Sequence, residues 1–152
     1  MGAIHVHEFM SLDGVIDAPT WTFDYGFDLR MGEAIAAVTA RSRAILPGRN
    51  VVSGSLTTAT WSNSTIIGPY GAAAIRGLKG EVDGDLYVSG SGTLVRALLA
   101  DGLVDELHLF VYPLTRGSAP RLFPDALSSK LSFVGSEAYD NGVVYLVYRP
   151  QA

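Results

Sequence analysis

A short glycine-rich segment carries the residue types best suited to chemistry in this sequence. Gly90-Ser91-Gly92 follows a strand-like stretch, Asp85 to Ser89, and precedes a helix-like stretch, Thr93 to Ala100. Glycines allow the backbone to turn tightly and to approach a ligand, and the start of a helix offers unpaired N–H groups and the positive end of its dipole. The segment therefore predicts a binding site for a phosphate or pyrophosphate.

Two interpretations of this segment stay open. A dinucleotide-binding fingerprint has a third glycine where this sequence has Val95, and a P-loop requires a lysine that is absent here. Gly90 and Gly92 would also serve a tight strand-to-helix turn that binds nothing. The residues alone do not separate an anion site from a structural turn.

Asp13 is the candidate catalytic residue of a second segment, Ser11 to Gly14. It follows a predicted strand, Ala3 to Met10, and could orient a substrate or relay a proton. Asp-Gly after a strand is also ordinary turn chemistry. A purely structural turn is therefore the alternative.

Three histidines are candidate metal ligands. His5 and His7 alternate along one strand and share a face, and together with His108 they could bind a metal ion. Nothing in the sequence places His108 near the other two. We therefore expect half-exposed histidines on a sheet, and no metal site.

An aromatic loop follows the first strand. Trp21, Phe23 and Tyr25 occupy alternate positions in it. Their rings could stack on a flat ligand such as a pterin or a flavin precursor, or they could form a hydrophobic plug over the core. Both roles stay open.

The elements that must position these residues alternate between strands and helices. Strand patterns cover Ala3 to Met10, Ala44 to Leu46, Val51 to Leu56, Ser64 to Ile67, Asp85 to Ser89, Asp105 to Tyr112, Leu131 to Ala138 and Val143 to Arg149. Helix patterns cover Asp28 to Arg41, Gly71 to Lys79 with Gly80 as a cap, and Thr93 to Ala100. Asp140-Asn141-Gly142 predicts a hairpin between the last two strands. The order predicts an α/β domain with a mixed, mostly parallel sheet flanked by helices and a C-terminal antiparallel hairpin.

The composition limits the class of protein. A length of 152 residues suits one domain over 1–152, and a 48% apolar content argues against disorder. The absence of cysteine excludes a disulfide scaffold, a thiolate zinc site and a cysteine nucleophile. A net charge of −4 with scattered basic residues argues against a nucleic-acid partner. Without a membrane-length apolar run or a signal-peptide pattern, we expect a cytoplasmic protein.

Several groups of residues along the chain follow the pattern of a known family. They are Glu8 to Ile16; Trp21-Thr22-Phe23 with Tyr25 to Asp28; Ala44 to Arg49; Val51-Val52-Ser53; Gly90 to Leu94; and Leu103 to Leu107 with Pro113, Gly117-Ser118 and Arg121-Leu122-Phe123. Together they resemble the reductase domain of the bifunctional riboflavin deaminase-reductases and its stand-alone relatives, in the dihydrofolate-reductase-like superfamily. The resemblance covers nearly the whole chain.

The resemblance implies an NADPH-dependent reductase on a dihydrofolate-reductase-like fold, and a homodimer. By position, Gly48 and Arg49 would lie near the cofactor phosphates and Ser53 near the adenosine 2′-phosphate. The residues that would hold the pyrophosphate are Gly90, Ser91, Gly92, Thr93 and Leu94. Asp13 and Gly14 would lie over the nicotinamide and the substrate. Asp13 is then the candidate catalytic residue, and Gly14 and Trp21 are the candidate substrate contacts.

One departure from the family pattern affects the expected cofactor site. The family has a helix and a loop between its Gly-Arg turn and the next strand, whereas here only Asn50 separates Arg49 from Val51. Parallel neighbouring strands need a crossover of about a dozen residues or more. We therefore expect a lost strand, a rearranged sheet, or strands exchanged between protomers by domain swapping.

Three functions are compatible with these residues. The first is an NADPH-dependent reductase of a small heterocyclic or carbonyl substrate. The second is a non-catalytic ligand-binding or assembly protein on the same fold, which has lost cofactor binding through the deletion after Arg49. The third is a phosphate-binding enzyme of another class that uses the turn from Gly90 to Thr93. Stabilisation of the fold by NADPH would distinguish the first from the others.

Overall fold

A computed structural model describes residues 2–46, 50–52, 65–125 and 127–151. The strands are β1 (Ile4–Ser11), β2 (Ser42–Leu46), β3 (Asn50–Val52), β4 (Thr65–Gly68), β5 (Asp85–Ser89), β6 (Glu106–Tyr112), β7 (Leu131–Ala138) and β8 (Val144–Pro150). The helices are a 3-10 helix (Pro19–Tyr25), α1 (Leu29–Arg41), α2 (Ala72–Glu81) and α3 (Gly92–Ala100). None of the helices in these ranges is long and apolar enough to cross a membrane.

Six strands form the main sheet, in the order β2-β5-β1-β6-β8-β7. The pairs β2–β5, β5–β1 and β1–β6 are parallel, whereas β8 runs antiparallel to both β6 and β7. In the β7–β8 turn, Gly142 has a φ of 86° and its N–H donates to the Tyr139 carbonyl at 3.0 Å. The predicted mixed, mostly parallel α/β sheet with a C-terminal hairpin is confirmed.

The side chains of β1 alternate between the two faces of this sheet. On one face Val6 is fully buried and packs in one cluster with Leu107 of β6 and Leu98 of α3. On the other face Phe110 of β6 packs in a second cluster with Met31 of α1. Because both faces of the central strands are covered, β1 and β6 are buried along most of their length, polar residues included.

The end of α2 differs from the prediction. Gly80 was expected to cap the helix, but α2 continues through Glu81 and ends at Val82, whose N–H donates to the Leu78 carbonyl at 3.0 Å. The Gly80 cap is therefore wrong. A glycine inside a helix costs only about 1 kcal/mol, which the burial of Ile75 on the same helix can offset.

β3, the strand that follows the short connection after Arg49, lies outside the main sheet. It pairs in parallel with β4, with Asn50 opposite Thr65 and Val51 opposite Ile66. This arrangement fits two of the expected alternatives, a strand lost from the main sheet and a rearranged sheet. The part of the predicted Val51 to Leu56 strand that follows Val52 lies outside the described residues. The homodimer and the domain swap stay predictions.

Leu107→Ala tests the packing between β6 and the helices. Leu107 is fully buried, so the truncation should lower the free energy of unfolding by about 2–5 kcal/mol. Leu29→Ala is the matched control, because Leu29 is 81% exposed, and it should change the free energy by less than about 0.5 kcal/mol. Urea denaturation measures both. Equal losses in the two variants would contradict this packing.

Candidate active site

The turn between β5 and α3 has the geometry of an anion site. Gly90 has a φ of 75°, which favours glycine, and a Cβ added to Gly92 would lie 2.5 Å from Cδ1 of Ile16. Ser91 is the N-cap residue, and its side chain makes no capping hydrogen bond. The Val95 N–H donates to the Ser91 carbonyl at 2.9 Å. The earlier N–H groups of α3 have no partner within the helix, and they can therefore bind a ligand.

A cleft of about 330 Å³ opens beside this turn. Its walls come from β1, from 16–19, from the turn and the first residues of α3, and from Pro120. It lies toward the carboxyl ends of the parallel strands β1 and β5. Open α/β sheets bind their ligands at that edge.

Arg96 provides a positive charge next to the glycine turn. Its Nη1 atom donates to the Arg121 carbonyl at 3.1 Å and lies 3.0 Å from the position that a Gly92 Cβ would take. Its Nη2 atom is 3.5 Å from the Thr93 hydroxyl oxygen. A guanidinium and a helix N-terminus on one wall of a cleft fit the charge of a diphosphate.

Glu8 places a carboxyl inside the same cleft. It is only 4% exposed, and within the described residues its Oε1 atom has no hydrogen-bond partner. Burial raises the pKa of Glu8 to about 7, against the smaller lowering effects of the Gly90 backbone N–H and the Arg96 charge. A carboxyl with this pKa can both hold and release a proton near neutral pH.

Asp13, the predicted catalytic residue, is engaged by hydrogen bonds. Its carboxylate accepts from the Ser11 hydroxyl at 2.5 Å, from the Gly117 N–H at 2.8 Å and from the Arg116 N–H at 3.0 Å. These bonds, led by that from Ser11, lower the pKa of Asp13 to about 2. The carboxylate therefore stays ionised and ties the loop after β6 to the turn after β1. Gly14, with a φ of 86°, belongs to that turn.

Trp21, the second predicted substrate contact, packs into the interior. It is 6% exposed and meets Tyr112 edge-on, with ring centroids 5.2 Å apart. Tyr25 contacts the same tyrosine at 5.6 Å, whereas Phe23 is 83% exposed. Trp21 and Tyr25 thus form a plug over the second core cluster. Neither Trp21 nor Gly14 belongs to the described lining of the Glu8 cleft.

The predicted cofactor contacts divide into three groups. Gly90, Gly92 and Thr93 line the cleft. Ser91 caps α3, and Leu94 is 7% exposed and packs in the core, so its backbone is the part that could reach a ligand. Gly48, Arg49 and Ser53 lie outside the described residues.

The histidines differ from their predicted exposure. His5, His7 and His108 are 3%, 5% and 3% exposed, so the expectation of half-exposed residues is wrong. Helix α1 and the aromatic side chains of the second cluster cover this face of the sheet. His7 Nδ1 lies 2.6 Å from the Tyr87 hydroxyl, which compensates part of the cost of burying it.

Glu8 and Arg96 were missed by the sequence analysis. In β1 the residues Ile4, Val6 and Met10 share the apolar face, and Glu8 is the charged exception on that face. That break in the alternation was the available signal. Arg96 lies one helical turn after Gly92, so it shares a helix face with the start of α3.

Part of the chain is similar to a known protein family. The model of the RibD C-terminal domain matches residues 71–145, which include the glycine turn, α3 and the hairpin. The uncharacterized protein YyaP of Bacillus subtilis (strain 168) is 32% identical over 65 residues. That alignment covers 42% of this chain and 35% of YyaP, so the chain matches about a third of that relative.

Solved structures extend the similarity to the whole fold. A putative riboflavin biosynthesis protein from Shewanella sp. PV-4 has a TM-score of 0.79 at 18% identity and 99% coverage of both chains. A pyrimidine reductase-like protein from Corynebacterium diphtheriae has a TM-score of 0.75 at 13% identity, with 99% and 92% coverage.

A bifunctional diaminohydroxyphosphoribosylaminopyrimidine deaminase/5-amino-6-(5-phosphoribosylamino)uracil reductase from Thermotoga maritima has a TM-score of 0.68 at 12% identity. The alignment covers 99% of this chain and 57% of that enzyme. These identities show the fold alone. Together with the family match, they confirm the predicted resemblance.

Glu8→Gln tests the environment of the buried carboxyl. With a pKa of 4.5 in the unfolded chain and about 7 in the folded protein, the folded state binds the proton more tightly between these values. Stability is therefore lost as the pH rises through this window. From about pH 5 to about pH 8, the wild type should lose roughly 2–3 kcal/mol of unfolding free energy relative to Glu8→Gln.

Urea denaturation at the two pH values measures this difference. Glu33→Gln removes an exposed carboxylate from α1 and serves as the control, with little expected change relative to the wild type. The same pH dependence in Glu8→Gln and in the wild type would show that the Glu8 pKa is not raised.

Proposed function

We propose that this chain, a relative of the riboflavin-biosynthesis reductases in its fold and in residues 71–145, is an NADPH-dependent reductase of a small heterocyclic or carbonyl substrate. One observation carries the proposal: a single cleft brings together the N-terminus of α3, the Arg96 guanidinium and the buried Glu8 carboxyl. The first two suit phosphate groups, and the third holds a proton near neutral pH.

The cofactor side of the cleft is formed by the glycine turn. The N–H groups at the start of α3 and the Arg96 guanidinium would bind the diphosphate of the dinucleotide. The absence of a side chain at Gly92 leaves room for Ile16 and Arg96 against the turn. When bound, the nicotinamide supplies a hydride. The preference for NADPH over NADH rests on Arg49 and Ser53 in the resemblance, and it stays a prediction.

The chain's own chemical contribution would be a proton from Glu8. Addition of a hydride to the carbon of a C=N or C=O bond leaves the nitrogen or oxygen in need of a proton. Protonated Glu8 would donate it, and its carboxylate would regain a proton from water in the cleft. Asp13 stays ionised because its pKa is about 2, so it is a positioning residue for the Arg116–Gly117 loop.

Arg96→Ala tests the cofactor side. NADPH should raise the unfolding temperature of the wild type by several degrees, and the variant should bind NADPH roughly 10-fold more weakly, because it loses a charge-assisted contact. Arg76→Ala removes an exposed arginine of α2 and is the matched control, with unchanged affinity. Calorimetric titrations with NADPH, NADH and inorganic pyrophosphate provide the comparison.

Two results would contradict the cofactor assignment. No binding of NADPH at roughly millimolar concentration would favour a ligand-binding or assembly protein that has lost the cofactor. Equally tight binding of pyrophosphate and NADPH, with no dependence on the nicotinamide, would favour a phosphate-binding enzyme of another class.

Glu8→Gln also tests the chemical step. The first substrate to try is 5-amino-6-(5-phosphoribosylamino)uracil, the compound named for the Thermotoga maritima relative. The variant should lose about 10²–10⁴-fold in kcat with a smaller change in KM. The wild-type kcat should fall as the pH rises through about 7, because the protonated carboxyl is lost. Glu33→Gln should keep the wild-type rate and pH profile; if Glu8→Gln does so too, Glu8 is not the proton donor.

A further inference from the structure

A second polar cluster lies near the amino-terminal ends of the central parallel strands, at the end opposite the Glu8 cleft. In the parallel β1–β6 ladder, His5 pairs with Glu106 and His7 pairs with His108. Paired residues of neighbouring strands project from the same face, so the register brings His5, Glu106 and His108 together. All three are nearly buried, with exposures of 3%, 9% and 3%.

Three donor atoms of this cluster form an almost equilateral triangle. His5 Nδ1 lies 3.2 Å from His108 Nε2, and Glu106 Oε2 lies 3.2 Å from each of these nitrogens. In a tetrahedral zinc site, bonds of 2.0–2.1 Å separate neighbouring donor atoms by about 3.3 Å. The triangle therefore matches one face of a tetrahedral coordination shell.

Each of the three side chains is held from behind by a polar partner. His5 Nε2 is 3.1 Å from Asp85 Oδ2, and His108 Nδ1 is 2.7 Å from the Tyr145 hydroxyl. Arg149 donates two hydrogen bonds to Glu106 Oε1, at 2.7 and 3.0 Å. Metal-binding histidines ordinarily have such outer partners, which orient the ring and determine which nitrogen has the lone pair.

The protonation of His5 determines what the triangle can bind. A neutral imidazole has one N–H. If His5 donates that proton from Nε2 to Asp85, its Nδ1 lone pair is directed toward Glu106 Oε2 and His108 Nε2. A second proton on His5 or a metal cation at the centre satisfies these donor atoms, and metal titration distinguishes the two.

A cleft of about 470 Å³ reaches two of the three residues. His5 and Glu106 line this cleft together with Arg149 and Gln151. A metal ion held by the triangle would take its fourth ligand, water or a small anion, from this side. Arg149 would attract such an anion.

We propose that His5, Glu106 and His108 form a binding site for a divalent transition-metal ion, with Zn²⁺ as the preferred occupant and one open coordination position. Two imidazoles and one carboxylate are the donor set that suits zinc. Mg²⁺ and Ca²⁺ prefer a larger set of oxygen ligands. The site is independent of the proposed reductase function, because it uses the opposite ends of β1 and β5 and none of the residues that line the Glu8 cleft.

Metal titration of the chelator-treated protein, prepared without a polyhistidine tag, tests the proposal. Calorimetry should show one Zn²⁺ bound per chain, an increase in unfolding temperature on binding, and no binding of Mg²⁺ at roughly millimolar concentration. Co²⁺ should give the visible absorption of a tetrahedral site. Binding of no transition-metal ion to the wild type would overturn the proposal.

Variants locate the site. Glu106→Gln and His108→Gln should each weaken Zn²⁺ binding at least 100-fold, and Asp85→Asn, which alters an outer partner, should weaken it about 10- to 100-fold. His7→Gln removes a buried imidazole from the same face outside the triangle, and it should retain wild-type affinity. Circular dichroism establishes that each variant is folded.

If Glu106→Gln does not fold, the comparison of Zn²⁺ affinity between Asp85→Asn and His7→Gln tests the location of the site. Equal affinity in those two variants would place the ion elsewhere and refute the assignment.

Discussion

In the parallel ladder at the centre of the sheet, His5 of β1 lies opposite Tyr87 of β5 and opposite Glu106 of β6, and the next residues keep that register. Backbone hydrogen bonds on both sides of β1 hold this alignment, and the pleat then decides which face each side chain occupies. Glu8 enters the face covered by α3, whereas His5 and His7 enter the face covered by α1. The Glu8 cleft and the cluster of His5, Glu106 and His108 both depend on this pairing.

The two carboxyl groups near the cleft show how local surroundings separate similar side chains. Asp13 is half-buried and accepts hydrogen bonds from a hydroxyl and two backbone N–H groups, which stabilise its charge. Glu8 is buried, and one of its oxygens has no hydrogen-bond partner in the part of the chain that the structure describes, so its charge is disfavoured. The Asp-Gly motif is the more conspicuous feature of the sequence, but Glu8 is the carboxyl whose pKa lies near neutral pH.

Local patterns predicted the elements well, because apolar periodicity and turn residues act over short distances. The helix pattern from Asp28 matches α1, with Asp28 as its N-cap, and Asn141-Gly142 lies in the β7–β8 turn. Such local patterns do not predict contacts between strands that are distant in the sequence. Nothing near His108 indicates that it lies beside His5, because that contact depends on the order and register of β1 and β6. Glu8 could be predicted only in part. Its position on an apolar face follows from the alternation in the sequence, whereas the lack of a hydrogen-bond partner among the described residues depends on the tertiary structure.

β1 carries residues of both sites on opposite faces and near opposite ends, with Glu8 three positions after His5. Three residues of a strand span about 10 Å, and side chains on different faces do not share neighbours. Point substitutions can therefore modify one site while leaving the other intact, so the two sites can change independently although they share one strand. The insertion or deletion of one residue between His5 and Glu8 has no such freedom, because it reverses the face of every residue beyond it in the strand. Among descendants of this sequence that retain both sites, the length of β1 should vary far less than its side chains.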